Sequence, residues 1–324
     1  MLLLIFAAGV FLLIGFKTDW NSTWKSVSSA NWAWFTAATV FMLSAHWMRG
    51  ARWTLLTTPA GYPLHLLRSF YAVMVGYLVN VATSRGGELA RCALASKSEK
   101  APVELLVGTV VTERIVDLLM LLLVCIATLL LQFKYLYSFF EKYVLEPLVA
   151  ALNFKNILIF CIIFIALMAL AFWFIKRRKK SANLNQSGVK GVLARFTEGL
   201  KTVFQLQKPV LFMLYSLGIW VGYWLSTYCL LQSLDVTAHL NVFNALSVVI
   251  FASIGIAIPL PAGAGVWGAV SVGLSTVYGL PTANAETYGI YTLAVSNIQM
   301  ITFGAIAYFL LYFEMIKINA ANTK

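Results

Sequence analysis

The sequence predicts an all-α polytopic membrane protein of about six full transmembrane helices and two re-entrant helical hairpins. Three observations lead there. Of 324 residues, 60% are hydrophobic and 11% charged, and the mean hydropathy is +0.82, too apolar for a soluble chain of that length. Apolar runs close to the roughly 20 residues that cross a bilayer recur at 1–16, 31–48, 103–131, 156–175, 209–232 and 284–313. Two further runs, at 69–83 and 241–280, are interrupted by polar residues, Gly or Pro. The whole chain, 1–324, reads as a single membrane domain.

Segment 1–16 has no basic leader and no small-residue cleavage site before Lys17, so it reads as a retained helix rather than a signal peptide. Trp20, Trp24, Trp32 and Trp34 bracket the next turn, at the level where indoles favour the membrane interface. The 31–48 helix ends at a loop, 49–68, carrying Arg49, Arg52 and Arg68. His46, near that end and the lone histidine of its neighbourhood, reads as an interfacial or hydrogen-bonded residue rather than a proton relay.

Nine of the 24 Lys and Arg residues lie in the 176–208 loop against one acid, Glu198. That asymmetry places the loop in the cytoplasm, and alternation then puts 49–68 and both termini there, with 17–30 and 132–155 outside. It also accounts for the net charge of +12 through topology and attraction to anionic lipid surfaces, so no nucleic-acid partner is expected. Residues 192–204 have the periodicity of a helix lying on the inner surface. Cys92, Cys125, Cys161 and Cys229 show no metal or redox spacing, and neither a cofactor nor a metal site is expected.

The unusual chemistry is concentrated between 77 and 117. The apolar part of 69–101, residues 70–82, is too short to cross the bilayer and predicts a hairpin that enters from the cytoplasm and returns. Asn80, Thr83, Ser84 and the Gly86-Gly87 pair fall near its turn. The following 103–131 helix carries Glu113 and Asp117 four apart on one face, and Arg114 within reach of Asp117 at a spacing of three. A charge at the centre of a bilayer helix costs about 2.5–3.5 kcal/mol, so such groups pair. Arg85, Arg91 and Arg114 balance Glu88, Glu113 and Asp117, with Arg85 or Arg91 as the partner for the two carboxylates.

The 241–280 segment repeats the pattern, with Pro259, Pro261, Gly263 and Gly265 at its interruption. Entering from outside, it would hand over to an inward helix at 284–313, as the first hairpin hands over to an outward one. Interrupted segments at corresponding places in two halves point to an inverted-repeat transporter with its site between them. The alternative is that Gly and Pro only permit close packing or kinks.

At Arg85-Gly-Gly-Glu88-Leu-Ala-Arg91, Glu113-Arg114-x-x-Asp117 and Pro261-Ala-Gly-Ala-Gly265-Val, the sequence resembles the flippase-like membrane domain of lysylphosphatidylglycerol synthases. The resemblance spans nearly the whole chain. It implies a multi-pass protein of a bacterial inner membrane that moves a phospholipid or lipid-linked headgroup between leaflets. Asn80, Arg85, Glu88, Arg91, Glu113, Arg114 and Asp117 match the family's polar positions and are the expected substrate-binding residues. Two departures stand out: Gly268 occupies the place of the family's usual glutamate, and no aminoacyl-transferase domain is expected after Lys324.

A lipid translocase is therefore the leading expectation. A membrane enzyme acting on lipid phosphates is the first alternative, but His46, His65 and His239 are far apart in sequence with no acid cluster around them, and no catalytic constellation is found. A secondary transporter of a small solute would use the same inverted hairpins.

Overall fold

The computed structural model describes residues 20–83, 86–141, 189–257, 260 and 263–322. Among them every regular element is a helix. The helices expected at 1–16 and 156–175 lie outside the described residues.

A short amphipathic helix, α1 (Trp20–Ser28), precedes α2 (Trp32–Thr57). Asn31 caps α2, its Oδ1 accepting from the Ala33 amide at 3.0 Å. The expected end of this helix near residue 48 is wrong. With no Pro or Gly-rich breaker before Pro59 and Gly61, the helix continues two more turns and carries Arg49 and Arg52 into the protein interior.

The first hairpin is α3 (Leu66–Ala82) and α4 (Gly87–Glu99). The 17 residues of α3 span about 25 Å, short of a hydrocarbon core of about 30 Å. Its turn is closed from within: Asn80 Oδ1 accepts from the Gly87 amide at 2.8 Å, and Thr83 Oγ1 from the Gly86 amide at 3.1 Å. The arms touch backbone to backbone, because a Cβ on Gly87 would stand 1.9 Å from the Gly76 carbonyl oxygen. An ion pair, Arg68 Nε to Glu99 Oε1 at 2.7 Å, ties the feet together.

The long helix α5 (Val103–Leu131) follows, then α6 (Phe133–Phe140). Helix α7 (Val189–Lys201), read from the sequence as a surface helix, packs across the start of α5. The crossing is a glycine pair: a Cβ on Gly199 would lie 2.2 Å from the Leu105 oxygen and one on Gly108 2.3 Å from the Phe196 oxygen.

Helix α8 (Pro209–Ser233) runs antiparallel to α2 in the most extensive helix contact of the fold. Asn31 N donates to Ser233 O at one end, Ser226 Oγ to Ala38 O further along, and Arg52 Nη1 to Ser216 Oγ at the other end. The second hairpin is α9 (Val242–Ala257) and α10 (Ala264–Tyr278), and α11 (Thr282–Asn322) completes the chain. Gly255 and Gly265 repeat the glycine contact of the first hairpin, a Cβ on Gly255 falling 2.6 Å from the Gly265 oxygen. Gly263 turns into α10 with a left-handed φ of 69°.

The order helix, hairpin, long helix thus occurs twice, as α2, α3–α4, α5 and as α8, α9–α10, α11. Since α2 and α8 are antiparallel, the two runs are inverted. The first arm of each hairpin leans on the long helix of the other run, α3 on α11 and α9 on α5. Segments Val103–Leu131, Pro209–Ser233 and Thr282–Ile316 are long and apolar enough to cross a membrane, whereas the hairpin helices are shorter apolar segments. Together they make a multi-pass all-α membrane protein.

Candidate ion-pair site between the helices

Helical spacing assembles the site. On α2, His46, Arg49, Arg52 and Trp53 fall three to four apart and share a face, as Glu113 and Asp117 do on α5. Both faces point into the angle between α2, α5 and α8, which α4 closes with Arg91. Along α5 the charges sit between two apolar clusters, one built on Trp53, Leu105, Leu106 and Val110, the other on Met120, Ile219, Trp220 and Val249.

Asp117 receives one guanidinium on each oxygen, Arg49 Nη1 on Oδ2 and Arg52 Nη2 on Oδ1, both at 2.8 Å. Arg91 Nη2 donates to Glu113 Oε2, and Arg52 Nη2 lies 3.6 Å from Glu113 Oε1. The remaining donors are spread over neutral partners: Arg49 Nη2 to Tyr223 OH and Arg52 Nη1 to Ser216 Oγ, each at 3.2 Å. The Arg91 guanidinium lies 4.8 Å over the Trp53 ring, whose Nε1 donates to Thr109 Oγ1 at 2.9 Å. Buried charges survive only when paired and hydrogen-bonded in this way. Arg52 and Glu113 are fully excluded from solvent.

Exposure rises at one end. Arg114 Nε pairs with Glu88 Oε1 at 3.0 Å, where the side chains are 44% and 39% accessible, and Arg114 Nη1 is 3.6 Å from Asp117 Oδ2. Glu88 is in the first turn of α4, so this accessible pair fastens the hairpin tip to α5. Among the described residues the network holds four guanidiniums, of Arg49, Arg52, Arg91 and Arg114, against three carboxylates, of Glu88, Glu113 and Asp117, an excess of one positive charge. The Nε–H groups of Arg49, Arg52 and Arg91 are buried and find no hydrogen-bond partner among the described residues.

Of the residues expected from the sequence, Glu88, Arg91, Glu113, Arg114 and Asp117 meet in this network, and the Arg114–Asp117 spacing of three is used. Arg85, Pro259 and Pro261 lie outside the described residues. Asn80 belongs to the hairpin turn, while Gly263 and Gly265 shape the second hairpin. The sequence reading missed Arg49 and Arg52, the principal partners of Asp117, with Ser216 and Tyr223 behind them. The Arg-x-x-Arg spacing within an unbroken helical run was the available signal.

A neutral polar cluster ties the far end of α5 to the second hairpin. Gln132 Nε2 donates to Phe243 O at 2.6 Å and Ser247 Oγ at 3.1 Å, and its Oε1 accepts from Tyr278 OH at 2.5 Å and Asn244 Nδ2 at 3.3 Å. Both arms of the hairpin are thereby held by one side chain.

The sequence profile of the lysylphosphatidylglycerol synthase TM region matches residues 1–306. The chain belongs to this family. It is also 26% identical over 249 residues to the UPF0104 membrane protein MJ1078 of Methanocaldococcus jannaschii, an alignment that covers 74% of this chain and 97% of that protein. No solved structure matches. In this member of the lysylphosphatidylglycerol synthase TM region family, the ion-pair network concentrates buried polar groups between the helices. Their chemistry is arginine-rich, partly unpaired and open at the Arg114–Glu88 end.

Proposed function

We propose that this protein translocates a phospholipid or lipid-linked headgroup between leaflets, recognising the anionic phosphate at the ion-pair network. The observation that carries the reading is the charge imbalance, four buried or half-buried guanidiniums against three carboxylates. A phosphate takes two parallel hydrogen bonds from a guanidinium and would restore neutrality. It would meet Arg114 first and displace Glu88, which sits at the tip of the first hairpin, so that headgroup arrival loosens the hairpin from α5. The deeper Nε–H groups then offer further donors. Acyl chains remain in the bilayer throughout.

The two inverted hairpins support the same reading, since paired short segments flanking a polar centre are the usual architecture of alternating access. In this scheme the basic loop and both termini face the cytoplasm, the first hairpin dips in from that side and the second from the other. The test uses the purified full chain in phosphatidylethanolamine and phosphatidylglycerol liposomes containing tail-labelled phosphatidylglycerol, with dithionite quenching of the outer leaflet. The wild type is expected to move the label across, and Arg114→Ala to lose this while remaining monodisperse in detergent. Label movement equal to protein-free liposomes would overturn the reading.

A further inference from the structure

His46 belongs to no ion pair, yet it sits beside the residue that sets the charge balance. Its imidazole is 5% exposed, one turn before Arg49 on α2, with its ring 4.4 Å from that of Tyr77 on α3 and 6.2 Å from that of Tyr223 on α8. Its Nδ1 has no hydrogen-bond partner. Between α2, α3 and α11 a cavity of about 20 Å³ is lined by His46, Ser296 and Gln299 together with Met42, Met74 and Met300. That volume admits about one water molecule, and the serine and glutamine provide polar groups to hold it. Gln299 Nε2 in turn donates to Thr39 Oγ1 at 2.9 Å, nearer the Trp32 end of α2. Polar groups therefore follow one another from Thr39 through Gln299, the cavity and His46 to Arg49 and Asp117.

We propose that His46 is a proton-binding site that couples proton uptake to anion binding at the ion-pair network. A hydrated proton entering through the cavity and binding a ring nitrogen would leave an imidazolium one helical turn from the Arg49 guanidinium. Like charges at that spacing repel. The other titratable groups facing the ring are Tyr77 and Tyr223, while α11 offers only Ser296 and Gln299. Asp117 acts on it through Arg49. A phosphate near Arg49 offsets the repulsion, so proton and anion each favour the binding of the other, and the coupling is reciprocal. The coupling to transport rests on the lipid reading above.

The deciding experiment measures proton uptake when dioctanoylphosphatidylglycerol binds to the full chain in weakly buffered detergent at pH 6.5. The wild type is expected to take up about one proton per bound probe, and His46→Gln and His46→Asn none. His65→Gln and His239→Gln should behave as the wild type. Probe binding by the wild type without proton uptake, or uptake undiminished in both His46 variants, overturns the inference and leaves the lipid reading standing. A wild type that binds no probe overturns the lipid reading and this inference with it.

Discussion

Arg52 donates to Asp117 across the contact between α2 and α5 at 2.8 Å, with its guanidinium wholly excluded from solvent. Arg49 binds the other oxygen of the same carboxylate. Two helices without long stretches of mutual apolar contact are therefore fastened by charge in the protein interior.

Removing one member of that bridge leaves buried charge underpaired: without Arg52, Asp117 keeps Arg49 alone at bonding distance, and without Asp117, Arg49 loses its carboxylate and Arg52 keeps only Glu113 at 3.6 Å. Arg52→Gln and Asp117→Asn should each destabilise the protein by about 3–5 kcal/mol, seen as a large drop in the thermal unfolding temperature in detergent. Arg114→Gln, at the accessible end, should cost about 1 kcal/mol or less.

Glu113 and Glu104 provide a matched comparison on α5. Glu113 is fully buried and bound by Arg91, whereas Glu104 pairs at 3.5 Å with Arg195 where both side chains are about a third exposed. Glu113→Gln should impair expression and translocation strongly, and Glu104→Gln should leave both near wild type. Equal tolerance of the two, measured by yield of monodisperse protein and by label movement, would contradict the assignment.

The two hairpins make a steric prediction. Gly87→Ala forces its new carbon against the Gly76 oxygen and should cost about 1–3 kcal/mol or more through backbone displacement. Gly268→Ala meets nothing within 4 Å and should fall within about 0.5 kcal/mol of wild type. A longer side chain at this position starts in the same open space, so Gly268→Glu should also fold, as measured by unfolding temperature and size exclusion.

At the far end of α5, Gln132→Ala removes four side-chain hydrogen bonds that join this helix to α9 and Tyr278. The cost should be about 1–3 kcal/mol, because buried partners lose their hydrogen bonds. Limited proteolysis should show faster cleavage near the 233–242 connection.

Much of this arrangement was legible in the sequence. The four-residue spacing of Glu113 and Asp117 and the shortness of 70–82 each have a direct physical meaning, and the Arg91–Glu113 contact and the Asn80 turn follow. Arg49 and Arg52 were misread because basic residues at the end of an apolar run ordinarily mark the cytoplasmic boundary. Only the continuation of α2 to Thr57 turns them inward, and that depends on what α5 and α8 offer in space. Nothing in local sequence announces that Ser216, Tyr223 and Asp117 lie opposite them. The glycine contacts were equally hidden, since Gly76 and Gly255 look like ordinary small residues until their partners are known.

Those contacts also say how such a protein can move. Legs held together along their backbones cannot scissor, so each hairpin should behave as a stiff strut that pivots where it is pinned, at Arg68 and Glu99 in one case and at Gln132 in the other. Any rearrangement would then be a swing of whole struts against the long helices, the first strut being freed at its tip only when the Glu88–Arg114 pair opens.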